Sequence, residues 1–253
     1  MVDHASGIPA YRQVAADLRD QITRGDLPPG ARIPSEHQLA ERHHVSRPTV
    51  REAIALLRAE GLVVAERGRG VFVRSQRTVQ RLARNRLSRA ARQRDEGAFK
   101  GDAAAGGWTP STTVKVYFES ADPATATLLD VDEGTEVCVR DRVMRADGIP
   151  VQLATSRLPR DITRDTAIEQ TDTGPGGLYA RLEDAEHTLD HFVETVSARM
   201  ATHVEQAALQ LPEGTPVIAL TRVAYDTDGR ALEVNAITMS ADRYELVYEL
   251  PAD

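Results

Sequence analysis

The feature that most limits how this 253-residue chain can fold is a repeat within its second half. Leu129, Val131, Glu133-Gly134-Thr135, Val137, Arg142-Val143 and Asp147-Gly148 recur as Leu209, Leu211, Glu213-Gly214-Thr215, Val217, Arg222-Val223 and Asp228-Gly229. The offset is 80 residues until one extra residue enters the second turn. Each copy reads as a short helix, a turn and a β-hairpin bending at Asp-Gly, a dipeptide that accepts the positive φ of tight hairpin turns. Alternation at Leu189, His191, Val193 and Thr195 adds a strand, and residues 177–186, with Leu178 and Leu182, add a helix. Two such units imply an antiparallel sheet backed by helices, an α+β domain.

The repeat also works as an internal control. Positions common to both copies serve the fold, so Arg142 and Arg222, which correspond, can each be structural. Arg140 stands where the second copy has Leu220, and the hairpin therefore does not demand arginine there. Arg140 and Arg142 lie two apart, on the strand face that also carries Cys138 and Met144. Two guanidinium groups on a half-apolar face need an anionic partner. That partner is either an internal carboxylate such as Glu233 or an acidic group on a ligand.

The first hundred residues read differently. Tyr11, Val14, Ala15, Leu18 and Ile22 make one helical stripe, ended by Gly25 and the turn Leu27-Pro28-Pro29-Gly30. Ser35 and Gln38 form a capping box that opens a second short helix. Ser46 caps a third, with Pro48 in its first turn and Val50, Ala53, Ile54 and Leu57 facing inward. Leu62-Val63-Val64 and Val71-Phe72-Val73, joined by Glu66-Arg67-Gly68-Arg69-Gly70, make a hairpin with a basic, glycine-rich tip. Three small helices followed by such a hairpin are a winged helix. The start of the third helix, presenting Arg47, Thr49 and Arg51, is suited to base edges in a major groove.

Charge follows the same division. The net charge of −7 conceals 19 Arg/Lys against 11 Asp/Glu in residues 1–100 and 12 against 27 thereafter. A basic front of +8 can release counterions from DNA, while an acidic back of −15 keeps the molecule soluble. Residues 76–107 are rich in arginine and then in Ala/Gly, which predicts a basic, partly helical segment leading into a flexible connector.

The run Tyr11-Arg12-Gln13-Val14, Gly25-Asp26-Leu27-Pro28-Pro29-Gly30, Pro34-Ser35-Glu36 and Ser46-Arg47-Pro48-Thr49-Val50-Arg51-Glu52-Ala53 resembles the GntR family of bacterial regulators. The likeness continues through Leu56-Leu57, Glu60-Gly61-Leu62 and Gly68-Arg69-Gly70-Val71-Phe72-Val73. It implies DNA contacts from His37, Ser46, Arg47, Thr49 and Arg51, and from Arg67, Gly68 and Arg69 in the wing. The back half is similar to the UTRA domain of the HutC subfamily, through Arg140-Asp141-Arg142, Asp147-Gly148-Ile149-Pro150-Val151, Leu158-Pro159, Leu178-Tyr179, Asp228-Gly229-Arg230 and Asp242-Arg243-Tyr244.

That resemblance implies a chorismate-lyase-like sheet domain and an effector pocket lined by Arg140, Arg142, Gln152, Gly177, Tyr179, Glu233 and Met239. Gly177 stands where relatives commonly have a hydroxyl, Gln152 where an acid is found and Met239 where a tyrosine can occur. A ligand more apolar than a sugar phosphate, or none, is left open. The expected organisation is a winged helix over 1–77, a linker over 78–108 and a UTRA effector-binding and dimerisation domain over 109–253.

The function expected is that of a cytoplasmic homodimeric repressor on a palindromic operator, released by a small molecule. The alternative is a ligand-independent autorepressor whose back domain only dimerises. No apolar run reaches the length of a membrane span, and no secretory core precedes the first helix. Cys138 is the sole cysteine, which excludes an internal disulfide and a multi-cysteine metal site. His187, His191 and His203 have no acid or nucleophile at catalytic spacing, so neither enzyme activity nor a cofactor or metal is expected.

Overall fold

The computed structural model describes residues 2, 6–66, 68–74, 79–82, 98–211 and 214–248. They divide into two compact units, the first made of residues 1–77 with 212–215 and the second of residues 78–211 with 216–253.

The first unit is built as its apolar spacing dictates. Helix α1 (Ala10–Thr23) buries Val14, Ala15 and Leu18, and α3 (Arg47–Ala59) buries Val50, Ala53, Ile54 and Leu57. Leu39 of α2 (Glu36–His43) completes the core, together with Ile33, Val63 and Val73. Leu18, Leu39 and Leu57 are fully buried, each contributing roughly 1.5–3 kcal/mol of transfer free energy. The Ser35–Gln38 capping box is present as expected. Strands β1 (Val63–Glu66) and β2 (Gly70–Val73) pair antiparallel to form the wing. A third segment joins them: Ile33 N–H donates to Val71 and Val73 N–H to Ala31, so residues 31–33 flank β2.

The second unit is built on a six-stranded antiparallel sheet. Its strands are β4 (Pro110–Ser120), β5 (Glu136–Ala146), β6 (Ile149–Pro159), β7 (Leu189–Met200), β8 (Pro216–Asp226) and β9 (Ala231–Ser240). The order β4-β5-β6-β9-β8-β7 places the two sequence copies back to back. The repeat proves longer than its conserved letters. Helix α5 (Pro123–Leu129) recurs as α8 (His203–Leu209), with Asp122 and Thr202 as caps and Asp130 and Gln210 both left-handed at φ 53°. At the seam, Thr155 pairs with Ala236, its own counterpart once the extra residue is counted. The sheet thus carries an internal pseudo-twofold axis through that pair.

The opposite faces of the sheet are covered separately. Helices α5 and α8 pack on one face, over Val137, Val139, Val223 and Val234, and over Leu153 and Val217. The other face is covered by α6 (Arg160–Thr163), a 3-10 turn (Ala167–Glu169) and α7 (Gly177–Asp184), and by α4 (Ala98–Gly106).

Helix α4 corrects an expectation. The Ala/Gly-rich segment anticipated as a flexible connector is helical over residues 98–106, with Phe99 and Ala103 buried and the Phe99 ring 4.8 Å from that of Trp108. Alanine has the highest helix propensity, and an i, i+4 apolar pair gives that helix a face to bury. Strand β3 (Val79–Leu82) likewise pairs in parallel with β10 (Tyr244–Val247). The rest of the arginine-rich segment, including Arg84, Arg86, Arg89, Arg92 and Arg94, lies outside the described residues. Among the described residues no helix is long and apolar enough to cross a membrane.

Candidate functional site

In the first unit the candidate site is the N-terminal turn of α3 with the wing. Ser46 caps α3 by accepting from Thr49 N–H at 3.3 Å, and its hydroxyl lies 2.9 Å from that of Thr49. The cap fixes the direction in which Arg47 and Thr49 leave the helix, and both are exposed or half-exposed. Arg51 is exposed but ion-paired, its Nε donating to Glu36 at 2.8 Å. On α2, His37 sits 3.2 Å from Glu41 one turn further along the same helix. In the wing, Gly68 has φ +75°, a backbone shape that glycine adopts without strain, and Arg69 lies over the Phe72 ring. Arg67 lies outside the described residues.

Sequence reasoning missed Arg32. It bridges to Phe72 beside the wing, and a Cβ on Gly70 would come within 2.6 Å of its Nε. Gly70 therefore leaves room for a basic side chain beside the tip of the hairpin. The isolated bridge that carries Arg32 is too short for alternation to reveal.

In the second unit a cavity of about 430 Å³ opens on the sheet face that carries Arg140, Arg142 and Met144. Its size suits a small organic molecule. The structure brings Arg140, Arg142, Gln152, Gly177, Tyr179 and Glu233 together around it. Met239 does not line it; that side chain is fully buried beside Trp108 and Met144. Residues 171–177 and the start of α4 form the walls, and Ala154, Ile237 and Leu178 add apolar surface. No histidine is among the residues that line it.

Each polar group in the cavity has a distinct environment. Arg140, 3% exposed, donates to the backbone carbonyls of Ile168, Gln170 and Thr171. Its expected anionic partner is therefore replaced by carbonyl dipoles, which tie the wall segment to β5. Burial, with Arg142 close by, holds its pKa below the usual arginine value. Arg142 donates to the Ser156 hydroxyl, while its Nε is buried and has no hydrogen-bond partner among the described residues. Burial lowers its pKa too, against the attraction of Glu233.

Arg222 is paired with Glu194 at 2.7 Å. Burial works against its charge, but Tyr179, Glu194 and Glu233 outweigh that cost and raise its pKa. Tyr179 donates to Glu233, and burial together with that carboxylate pushes the phenol well above its ordinary value. Gln152 accepts from Tyr244 at 3.1 Å. Asn235, 4% exposed, has an Oδ1 without a partner among the described residues. Sequence reasoning missed Asn235 and Ser156, which carry no motif and matter only because adjacent strands bring them to the same face.

Residues 10–73 match the gntR family of bacterial regulatory proteins, and residues 105–245 match the UTRA domain. The chain belongs to the GntR family. The pairing of this helix-turn-helix with a UTRA domain is that of the HutC subfamily, and the protein is a DNA-binding transcriptional regulator. Over 248 residues it is 32% identical to an HTH-type transcriptional regulator of Streptomyces coelicolor, covering 95% of this chain and 92% of the relative. The HTH-type transcriptional repressor NagR of Bacillus subtilis is 27% identical, with 98% of this chain and 97% of that protein covered. The crystal structure of PhnF from Mycobacterium smegmatis aligns at a TM-score of 0.61 and 28% identity, covering 95% of this chain and all of that one. PhnF too is named a transcriptional repressor. Its winged helix and UTRA sheet make this GntR protein a mixed helix and antiparallel-sheet molecule, as the sequence led us to expect.

Proposed function

We propose that the protein is a repressor which binds a palindromic operator as a homodimer and releases it when a small molecule fills the cavity of the UTRA sheet. The DNA-binding unit is residues 1–77, and residues 109–253 sense the effector and dimerise. Operator bases are read by Arg47, Thr49 and Arg51, supported by His37 and Ser46, and the wing adds Arg67, Gly68 and Arg69. Arg140, Arg142, Gln152, Gly177, Tyr179, Glu233 and Met239 form or back the effector site. The protein works in the cytoplasm, where its operator is, and has no enzymatic role.

The observation that carries this reading is the cavity itself. A half-open cavity that presents a buried guanidinium Nε and an amide oxygen, both without a hydrogen-bond partner among the described residues, offers both groups to a ligand. The repressors NagR and PhnF among the relatives support the direction of control. An effector shifts the operator equilibrium only by its differential affinity for the two states, so release demands that filling the cavity favour the non-binding dimer.

The test is direct. Purified protein is bound to its own promoter fragment and challenged with a deproteinised small-molecule extract of the host cell. Release of the fragment by the extract, lost again in Arg142→Gln, is expected. Full retention of the fragment by the wild-type protein across all extract fractions would overturn the effector reading.

A further inference from the structure

The two copies of the repeat place the same arginine in the same cavity with different neighbours. On β8, Arg222 pairs across from Glu194 of β7. On β5, Arg142 pairs across from Val114 of β4. Val114 precedes Glu194 by the repeat offset of 80, so valine occupies the position from which Glu194 neutralises Arg222. The first copy has thus lost its counter-carboxylate while keeping its arginine. Arg142 Nε is left without a partner as a consequence.

Charge counting sets the valence of what is missing. Arg140, Arg142 and Arg222 meet two buried or half-buried carboxylates, Glu194 and Glu233. The exposed rim adds one charge of each sign, from Lys100 and Asp172. One positive charge remains. A singly charged anion balances it, whereas a phosphate dianion over-compensates inside a site of low dielectric.

The neighbouring atoms refine the ligand further. Asn235 pairs across from Ser156, which accepts from Arg142, so the orphaned Asn235 Oδ1 looks for a donor next to the anion. Val114, Met144, Ala154, Ile237 and Phe99 offer apolar surface beyond it.

We propose that the effector is a small monocarboxylate with an apolar body and an adjacent hydroxyl or N–H. Its carboxylate supplies to Arg142 what Glu194 supplies to Arg222. This rests on the effector reading above but is tested without DNA. A carboxylate adds to the guanidinium's hydrogen bonds a charge–charge attraction that a neutral amide lacks, which favours the carboxylate over its neutral isostere.

Calorimetric titration of the full-length protein with benzoate, 2-hydroxybenzoate, benzamide and inorganic phosphate distinguishes the classes. Binding of the two carboxylates, with 2-hydroxybenzoate the tighter, and at least about tenfold weaker binding of benzamide and phosphate are expected. The decisive variant is Val114→Glu, which gives the first copy the carboxylate of the second. It should fold with a melting temperature no lower than wild type and lose carboxylate binding by about tenfold or more. Arg142→Gln, which retains a donor to Ser156 without the charge, should lose it likewise.

Carboxylate binding unchanged in Val114→Glu would overturn the proposal. So would phosphate binding in preference to carboxylates, or an absence of carboxylate binding. Because the readout is ligand affinity alone, any of these results leaves effector release by another class of molecule to be judged by the operator experiment.

Discussion

The two copies of the UTRA repeat share their backbone down to the cap residues and both contribute to one cavity, yet the arginine of one is paired with an acid across the strands and that of the other is not. In the second copy the arginine is neutralised by Glu194, and the position matching Arg140 is the fully buried Leu220. In the first, Val114 replaces the acid, and Arg140 reaches out to hold the wall of a cavity. A duplicated fold can keep one half for stability and spend the other on recognition. Substitutions that make each copy resemble the other therefore separate the two roles.

The largest effect is expected from Glu194→Val, which makes the second copy imitate the first. Arg222 is 3% exposed, and loss of its close carboxylate leaves a buried charge poorly compensated. Breaking one side of such a pair costs about 3–5 kcal/mol, to be read from urea unfolding. A change below about 1 kcal/mol would mean that Arg222 is held by Glu233 and Tyr179 alone. Arg140→Leu converts the first copy toward the second at the other charged position. Three carbonyls lose their donor, for an expected loss of about 1–3 kcal/mol and faster proteolysis within residues 170–176. Unaltered cleavage there would show that Arg140 does not anchor the wall.

The smallest effects concern the helix caps. Thr202 and Glu205 form a capping box on α8, and Arg199 pairs with Glu205 at 2.6 Å. The Arg199 hydrogen bond leads the effects that bring the Glu205 carboxyl down from 4.5 to about 2. A carboxyl whose folded pKa is depressed stabilises the protein above its unfolded value and loses that contribution as pH falls through its folded value. Glu205→Gln should therefore cost about 2 kcal/mol near neutrality, with the difference from wild type closing between about pH 4.5 and 2. On α5, Asp122→Ala removes a cap that accepts from Ala124 and Thr125, at a cost of about 1 kcal/mol. A Glu205→Gln difference that does not depend on pH would break the assigned ion pair.

Much of this was legible in the sequence. The winged helix followed from apolar stripes at Val14/Leu18 and Val50/Leu57 and from caps at Ser35 and Ser46, signals that are local and periodic. The repeat announced its sheet because Asp-Gly turns and Glu-Gly-Thr corners fix hairpin geometry. Less legible were features that depend on which strands become neighbours. Val114 looked like any strand valine until pairing set it across from Arg142. The partners of Arg140 are backbone carbonyls, which no side-chain pattern encodes. Helix α4 was obscured because Gly101 and Gly106 flank its alanines and lower the local helix signal, while its stabilising contact with Trp108 comes from beyond its end.

The central claim is that the opening turn of α3 and the wing grip a duplex. Fluorescence anisotropy of a labelled fragment of the protein's own promoter, titrated at several salt concentrations with wild type and Arg47→Ala, tests it most directly. The account predicts wild-type binding that weakens linearly in the logarithm of salt, and a loss of about 1–3 kcal/mol of operator affinity in Arg47→Ala with relaxed base preference. Absence of binding at low salt, or identical affinity and specificity in the variant, would contradict it.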